Sequence, residues 1–309
     1  MSNLISLNPQ RRSEAEQFLN SRIAHPGFRA ALLNINRIHA TKGFSARGMM
    51  FVGDTGVGKT TILKCYRDIY CTENQLETKP KRGKYPIVLT RLNSNSGSRS
   101  FLRNLCQKLG VKPPSKETVN DLETRAITLL KKREVELVMV DEFHHLASRD
   151  GRKNLDSVGD LLKNLMDLAQ VPFVLVGTLK ALTVLDGHPE LQRRFAASTR
   201  LDNLNLSTDE EADKFSKILS ACQRNCAVPS VTLSSPAMLE RFLLASRGRI
   251  GTITNIIETA INFCDMTVGI TMDDLAEAFD FCRSEPRYPK CNPFSAPIRV
   301  VKTELGRAK

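Results

Sequence analysis

The chain has 309 residues, of which 41% are hydrophobic and 25% charged, and its formal net charge is +12. This composition excludes a disordered or fibrous protein, and the length suits one large domain with a smaller companion. The positive charge favours a polyanionic partner, either nucleic acid or an acidic membrane surface. Because there is no tryptophan and only 6% of residues are aromatic, contact with a phosphate backbone is favoured over stacking on single-stranded bases.

The first two thirds of the chain are predicted to contain alternating strands and helices. Ser13 and Glu16 have the spacing of a capping box, which predicts the start of a helix that ends before Pro26. Further helices are predicted over 28–41, 60–68, 98–109 and 155–169, and one more is predicted after a cap formed by Thr118 and Asp121. Strands are predicted over 48–52, 86–92, 135–140 and 172–177. This alternation predicts a parallel sheet covered by helices on both faces.

From residue 207 onward the pattern predicts helices only, over 208–226, 236–246, 250–266 and 271–282. The expected fold class is α/β, with a parallel sheet between helices and a small all-helical lid domain. The predicted parts are an N-terminal helical segment (1–45), the α/β domain (46–206), the lid (207–282) and a basic, proline-rich tail (283–309). Four prolines predict an extended tail without regular secondary structure. Its Asn-Pro-Phe sequence over 292–294 is interpreted either as a docking peptide or as part of a disordered end.

A glycine-rich loop follows the strand over 48–52 and matches the phosphate-binding pattern G-x-x-x-x-G-K-[ST] in full. In such a loop, backbone N–H groups surround phosphates, Lys59 can reach the β and γ phosphates, and the Thr60 hydroxyl can bind Mg²⁺. ATP with Mg²⁺ is the expected ligand, since no guanine-reading Asn-Lys-x-Asp sequence is present.

Two acids end the strand over 135–140. Asp141 is expected beside Mg²⁺ together with Thr60, and Glu142 is expected to polarise the attacking water. Thr178, at the end of the next strand, either orients this water or caps the following helix, and the two roles are compatible. The residues predicted to bind the nucleotide and its metal are Gly53, Asp54, Thr55, Gly56, Val57, Gly58, Lys59, Thr60, Thr61 and Asp141.

Two adjacent arginines precede Phe195. An arginine supplied in trans to a γ-phosphate makes hydrolysis depend on assembly, and Arg194 is the candidate for this role. The alternative, a surface ion pair, is equally compatible with the sequence. Two weaker signals are interpreted as structural: the adjacent histidines at 144 and 145 lack the spacing of a catalytic zinc site, and Cys222 with Cys226 suits core packing.

The positive charge is concentrated in the first hundred residues, where 16 Lys and Arg against 6 Asp and Glu give +10. The tail over 283–309 has 7 basic and 2 acidic residues, which gives +5. The protein is expected to be cytoplasmic, with reduced thiols, because no apolar run approaches the roughly 18 to 20 residues of a membrane span and no secretory signal pattern is visible.

The order of these motifs resembles AAA+ ATPases, and more narrowly the TniB and TnsC type of transposition regulator, related to the phage Mu B protein. The resemblance covers about residues 10–282 and depends most on Asp-Glu-Phe-His-His-Leu over 141–146, Val-Gly-Thr over 176–178 and Gly-Arg-Ile-Gly over 248–251. It implies a bacterial AAA+ ATPase that forms a homo-oligomeric filament or ring on duplex DNA with little sequence preference. Such a protein marks target DNA, recruits a transposase and disassembles on hydrolysis.

The resemblance also implies DNA contacts by Arg99 and Thr118, and an upstream adaptor of the TniQ type as a further partner. The chain departs from many AAA+ proteins at the start of the third lid helix, where a second sensor arginine is replaced by glycine and threonine at 251–252, with Arg247 and Arg249 slightly earlier. Hydrolysis is therefore expected to be slow. Two alternatives remain at this point: a helicase loader or replication initiator of the same superfamily, and a nucleotide-locked DNA scaffold without significant turnover. A small-molecule kinase is disfavoured because it leaves the charge unexplained.

Overall fold

The computed structural model describes residues 9–21, 25–43, 45–80, 82–93, 97–147, 152–185, 188–283 and 289–307. The chain forms two compact units: Gly27–Asp202 is one, and Met1–Pro26 together with Asn203–Lys309 is the other. Each unit has its own buried apolar core. Within the described ranges, no helix is both long and apolar enough to cross a membrane.

The Gly27–Asp202 unit contains a five-stranded sheet. Its strands are β1 (Gly48–Gly53), β2 (Ile87–Arg91), β3 (Leu137–Asp141), β4 (Phe173–Gly177) and β5 (Ala197–Leu201). They pair in the order β2-β3-β4-β1-β5, and every pair is parallel, which confirms the predicted sheet. Every residue of β1, β3 and β4 is buried, as expected for apolar strands with helices on both faces.

Helices cover both faces of this sheet. The first helix of the chain, α1 (Pro9–Asn20), belongs to the other unit; the helices around the sheet are α2 (Pro26–His39), α3 (Lys59–Glu73), α4 (Ser98–Lys108), α5 (Val119–Lys132), α6 (His144–Ala147), α7 (Arg152–Ala169) and α8 (Pro189–Arg194). Alternate strand residues face opposite sides, so Met50 packs in the core beneath α4, α5 and α7, whereas Phe51 packs in the core beneath α2 and α3. A 3₁₀ helix over Leu179–Leu185 follows β4.

After residue 203, the described residues of the second unit form helices and no named strand. It contains α9 (Asp209–Asn225), α10 (Pro236–Ser246), α11 (Ile250–Phe263), α12 (Met272–Cys282) and α13 (Ile298–Arg307). The first four agree closely with the predicted lid helices. A capping box formed by Thr271 and Asp274 begins α12, and Cys222 is fully buried in the core, as its packing interpretation requires.

The N-terminal residues are divided between the two units. Ala15 and Phe18 of α1 are buried in the core of the helical unit, whereas α2 buries an apolar face against the sheet. The structure therefore does not group residues 1–45 into one segment. The predicted helix start at Ser13 is wrong: Ser13 lies inside α1, which begins at Pro9 because proline suits the first turn of a helix.

The prediction of an extended tail without regular structure is also wrong. Residues 298–307 form α13, which starts directly after Pro297, where the missing N–H of proline interrupts no helical hydrogen bond. Phe294 is only 2% exposed and packs against the rings of Phe242 and Phe279, at centroid distances of 5.1 and 6.2 Å. Phe294 is thus a core residue of this unit, which overturns both its docking-peptide and its disordered-end interpretations.

Candidate functional site

The glycine-rich loop lies between β1 and α3, as predicted. Gly56 and Gly58 have φ values of 86° and 95°, a backbone conformation that side chains disfavour and that bends the chain tightly into the helix. Gly58 is the N-cap of α3, a helix of 15 residues. Because glycine has no side chain, the cap makes no side-chain hydrogen bond to the first N–H groups of the helix, which point into the loop. This is the geometry of a helix N-terminus that receives phosphate.

Lys59 is the buried cation of the loop, with 7% of its surface exposed. Its Nζ donates to the carbonyl oxygens of Gly53 and Asp54, both at 2.7 Å. Burial lowers its pKa, and the carboxylates of Glu142 and Asp141 oppose this effect. The amine is thus held at the loop by two neutral acceptors, which a phosphate oxygen can replace with a stronger, charge-assisted bond.

Thr60 and Asp141 meet across the carboxyl end of the sheet. The Thr60 hydroxyl donates to Oδ2 of Asp141 at 2.7 Å, and Oδ1 of Asp141 accepts the backbone N–H of Glu142 at 3.0 Å. Asp141 is 2% exposed, so its carboxylate is fixed on both sides. A hydroxyl and a carboxylate oxygen at this separation are suitable ligands for Mg²⁺, and this donor set fits a magnesium nucleotide.

Glu142 leaves the sheet in a strained conformation, with φ 57°. Its carboxylate is paired with Arg91, at the end of the neighbouring strand β2, with 3.3 Å between Nη2 and Oε1. Sequence reasoning did not identify Arg91. Only the observed pairing of β2 with β3, which sets Arg91 opposite Asp141, places the guanidinium beside the carboxylate.

His144 and His145 follow Glu142 at the start of α6. Ligand atoms of these three residues lie within 4.8 Å of one another, a proximity that the sequence spacing did not predict. Nδ1 of His144 is 3.4 Å from Oε2 of Glu142. Burial and the neighbouring His145 lower the pKa of His144, so its imidazole is mostly neutral at pH 7, and the positive charges that act on Glu142 come from Arg91 and Lys59.

Thr178 follows β4, the strand next to β3. Its hydroxyl oxygen is buried and has no hydrogen-bond partner among the described residues. Its side chain therefore does not cap the 3₁₀ helix. The residue before it, Gly177, lies close to the backbone of His144, so Thr178 is on the same edge of the sheet as the acidic loop.

Arg194 is the last residue of α8, which begins at Pro189. Its Nη2 lies 2.5 Å from Oδ1 of Asp167 on α7, and the two side chains are 31% and 35% exposed. The structure thus forms the ion pair that was one of the two sequence interpretations. Arg193 is exposed beside it.

Arg99 and Thr118 are brought together by a loop. Nη2 of Arg99 donates to the carbonyl oxygens of Ser115 and Glu117, at 2.9 and 2.7 Å, immediately before Thr118. The predicted capping box is confirmed: the Thr118 hydroxyl donates to Asp121 at 2.7 Å and accepts its backbone N–H. The hydroxyl is therefore engaged within the chain, whereas the guanidinium of Arg99 meets only neutral acceptors in these contacts and retains its charge.

The arginines near the predicted sensor position flank a tight turn in the helical unit. Arg247 has φ 54° at the end of α10, and Arg249 is the N-cap of α11. The Nε of Arg249 is buried without a hydrogen-bond partner in the described part of the chain. The first turn of α11 has glycine and threonine at 251–252, which is the departure seen in the sequence.

The chain matches the model of one known protein family. The model of the family described as "Bacterial TniB protein" matches residues 17–203, more than half of the sequence. The chain belongs to the TniB family. The matched range contains the phosphate loop and the Asp141-Glu142 pair. Among curated proteins, no sequence matches this TniB-family chain.

Solved structures show that the fold is that of AAA+ proteins of the ORC and Cdc6 kind. The Aeropyrum pernix ORC1 protein in complex with DNA is 15% identical, with a TM-score of 0.62 over 86% of this chain and 69% of that one. The Aeropyrum pernix ORC2 protein is 16% identical, with a TM-score of 0.58 over 92% and 71%. The Drosophila ORC bound to DNA is 17% identical, with a TM-score of 0.56 over 92% and 70%. At such low identities these similarities establish the fold alone.

Proposed function

We propose that this TniB-family chain is an ATP-dependent, DNA-binding transposition regulator. In this proposal it oligomerises on duplex DNA, marks the DNA as a target and recruits a transposase, and ATP hydrolysis drives its disassembly. The main support for the proposal is the hydrogen bond between Thr60, at the phosphate loop, and Asp141, at the acidic strand end, in a member of this family. A TniQ-type adaptor is the proposed upstream partner.

The roles of the site residues follow from their chemistry. Lys59 exchanges its two carbonyl acceptors for phosphate oxygens, and the amides of the loop and of α3 surround the phosphates. A bound Mg²⁺ would neutralise charge on the phosphate oxygens, and Thr60 and Asp141 are the residues that would hold it. Glu142 orients and polarises the attacking water, and the Thr178 hydroxyl, which no described residue engages, is a second contact for that water.

Arg194 is proposed to act on the nucleotide of a neighbouring subunit. A guanidinium added in trans stabilises charge that develops on the transferred phosphoryl group, so hydrolysis becomes dependent on assembly. The pair with Asp167 does not prevent this role, because partly exposed ion pairs are worth only about 0 to 1 kcal/mol and exchange readily.

The proposed DNA contact is the surface formed by Arg99 and the start of α5 at Thr118. The net charge of +12 and the +10 over the first hundred residues support a phosphate-binding partner. Arg99 supplies the charge, and its bonds to two loop carbonyls fix the loop that it shares with Thr118. Contacts of this type are insensitive to sequence because they engage the backbone of the duplex.

Co-sedimentation with duplex DNA, with and without ATP, tests the proposal. The wild type is expected to co-sediment only with ATP. Lys59→Ala is expected to lose ATP binding and DNA binding together, whereas the isosteric Glu142→Gln is expected to bind both and to remain assembled, because only the hydrolytic step is removed. ATP-independent DNA binding by a persistent monomer would contradict the proposal.

The second candidate is a nucleotide-locked scaffold that binds ATP without turning it over. The ion pair between Arg91 and Glu142 favours it, because a carboxylate held by an arginine is less available to a water molecule. Steady-state ATPase measurements on DNA separate the two candidates. Equal rates for the wild type and Glu142→Gln would support the scaffold, whereas a loss of about 100-fold or more in the variant is expected for a true ATPase that depends on this general base.

A further inference from the structure

The helix that carries Arg194, α8, is held in place by buried apolar side chains. Leu191 and Phe195 are 2% and 3% exposed. Phe195 packs so closely on β1 that a Cβ added to Gly48 would lie 2.1 Å from Cε1 of its ring. The arginine is therefore presented from a segment that is fixed to the same strand that enters the phosphate loop.

The neighbouring helix α7 supplies two further anchors. A Cβ added to Gly159 would lie 2.8 Å from the imidazole carbon of His188, at the N-cap of α8. One turn further along α7, Lys163 forms an ion pair with Glu190. These positions are four residues apart on α7, so one face of that helix follows α8.

Asp167 is the next position on this face, and its partner is Arg194. Because buried side chains and the two preceding contacts already hold α8, this last pair is not needed to place the helix. Both side chains remain about a third exposed, with 2.5 Å between Nη2 and Oδ1. Asp167 thus forms an ion pair with the Arg194 guanidinium but does not determine the position of α8.

We propose that Asp167 competes in cis with the γ-phosphate of a neighbouring subunit for Arg194, and so sets the protein concentration at which assembly begins. The inference rests on the proposed trans role of Arg194. In a free subunit the carboxylate holds the guanidinium. When a second subunit docks, the phosphate displaces it, because a γ-phosphate carries more negative charge than one carboxylate and can accept two N–H groups of the guanidinium. The displaced Asp167 returns to water at little cost since it is already partly exposed.

The isosteric variant Asp167→Asn tests this competition. Assembly is followed by sedimentation velocity over a range of protein concentrations, with duplex DNA and a non-hydrolysable ATP analogue. The concentration at half-assembly is expected to fall by up to about fivefold, the most that a partly exposed ion pair accounts for. Asp160→Asn is the matched control: this acid is exposed on the same helix and is expected to leave the midpoint unchanged.

Arg194→Ala distinguishes failure of the inference from failure of the proposed function. It is expected to raise the midpoint, and the double variant Asp167→Asn with Arg194→Ala is expected to match it. An unchanged midpoint for Asp167→Asn, or a raised one at unaltered thermal stability, would overturn the competition while leaving the trans role in place. A wild-type midpoint for Arg194→Ala would overturn the trans role, and the competition with it.

Discussion

Arg91 and Glu142 form an ion pair across the carboxyl ends of β2 and β3, with Nη2 and Oε1 3.3 Å apart. The strand register sets Arg91 opposite Asp141, so the arginine is placed by the sheet and not by a flexible loop. Arg91 is 66% exposed and Glu142 19%. The carboxylate proposed to activate water is therefore held by an arginine that solvent, or a bound partner, can reach.

Replacing Arg91 by alanine is expected to raise basal ATPase activity. The pair is largely exposed on one side, so its loss is worth at most about 1 kcal/mol, or an increase of roughly twofold to fivefold in kcat. Arg91→Lys keeps the charge and is the control, with a smaller expected increase. A fall in kcat in Arg91→Ala, with wild-type ATP binding by fluorescence titration, would show instead that Arg91 assists the catalytic step.

The sequence was sufficient to predict the parallel sheet and the phosphate loop, but not all of the site. The meeting of Thr60 with Asp141 could be expected because a complete loop motif and an acidic strand end both lie at the carboxyl edge of one parallel sheet. Arg91 and Asp167 were missed because their roles depend on which strands and helices are neighbours. A strand order of β2-β3-β4-β1-β5 is set by long-range packing that no local pattern encodes.

In the C-terminal tail, local sequence patterns predicted the wrong secondary structure. Prolines at 293 and 297 predicted irregular structure, yet one directly precedes α13. Proline excludes a helix interior and favours a helix start, so its position and not its frequency decides the outcome. The burial of Phe294 depends on rings contributed by α10 and α12, which cannot be read from the tail itself.

Gly48→Ala is expected to destabilise the protein and to impair assembly together. The added methyl group would meet the Phe195 ring at 2.1 Å, and overpacking of this kind typically costs about 1 to 3 kcal/mol. Since Phe195 directly follows Arg194, the strain also moves the arginine. Urea unfolding and ATP-driven sedimentation measure the two effects. Gly306→Ala is the control: among the described residues, no atom outside its own helix backbone and chain neighbours lies within 4 Å of the added Cβ, so assembly is expected to be unchanged and stability not to fall, since alanine favours a helix over glycine.

His39 makes the stability of the α/β unit depend on pH. It is 4% exposed, and its Nδ1 lies 2.9 Å from the Tyr66 hydroxyl. Burial lowers its pKa to about 4, although the nearby Glu136 carboxylate acts in the opposite direction. The unfolded histidine binds a proton near pH 6.5, so between pH 6.5 and about 4 the unfolded state holds more protons and stability falls as the pH falls.

The expected loss at His39 over this range is up to about 3 kcal/mol in the free energy of unfolding. Urea denaturation at several pH values measures it, and His39→Gln is expected to remove this part of the dependence. His25, whose pKa burial also lowers to about 4, lies in the other unit and contributes a dependence of the same sign. His25→Gln is thus the comparison variant. A pH profile of His39→Gln identical to the wild type would refute the assignment.

Phe294→Ala is expected to destabilise the helical unit by about 3 to 5 kcal/mol, because it leaves a cavity between the rings of Phe242 and Phe279. Phe281→Ala is the matched control, since Phe281 is 75% exposed and its truncation is expected to cost little. Thermal unfolding of both variants measures the difference. Equal midpoints would mean that residues 289–297 do not form part of the stable core in solution.

Two variants of Arg99 separate the contribution of its charge to the proposed DNA contact from the contribution of its geometry. Arg99→Ala removes the charge and the two bonds to the loop carbonyls, whereas Arg99→Lys keeps the charge and loses the planar fork. DNA affinity measured over a series of salt concentrations reports the number of neutralised phosphates. Arg99→Ala is expected to weaken binding and to lower the salt slope by about one.

Arg99→Lys is expected to retain the wild-type salt slope with an intermediate affinity, because a cation remains near the phosphate but the loop before Thr118 loses its fixed shape. An unchanged slope in Arg99→Ala, with weaker binding, would mean that Arg99 only orders the loop and that another cation contacts the DNA. Wild-type affinity and slope in both variants would place the DNA elsewhere on the chain, since an arginine that neutralises a phosphate contributes about 0.9 to the slope.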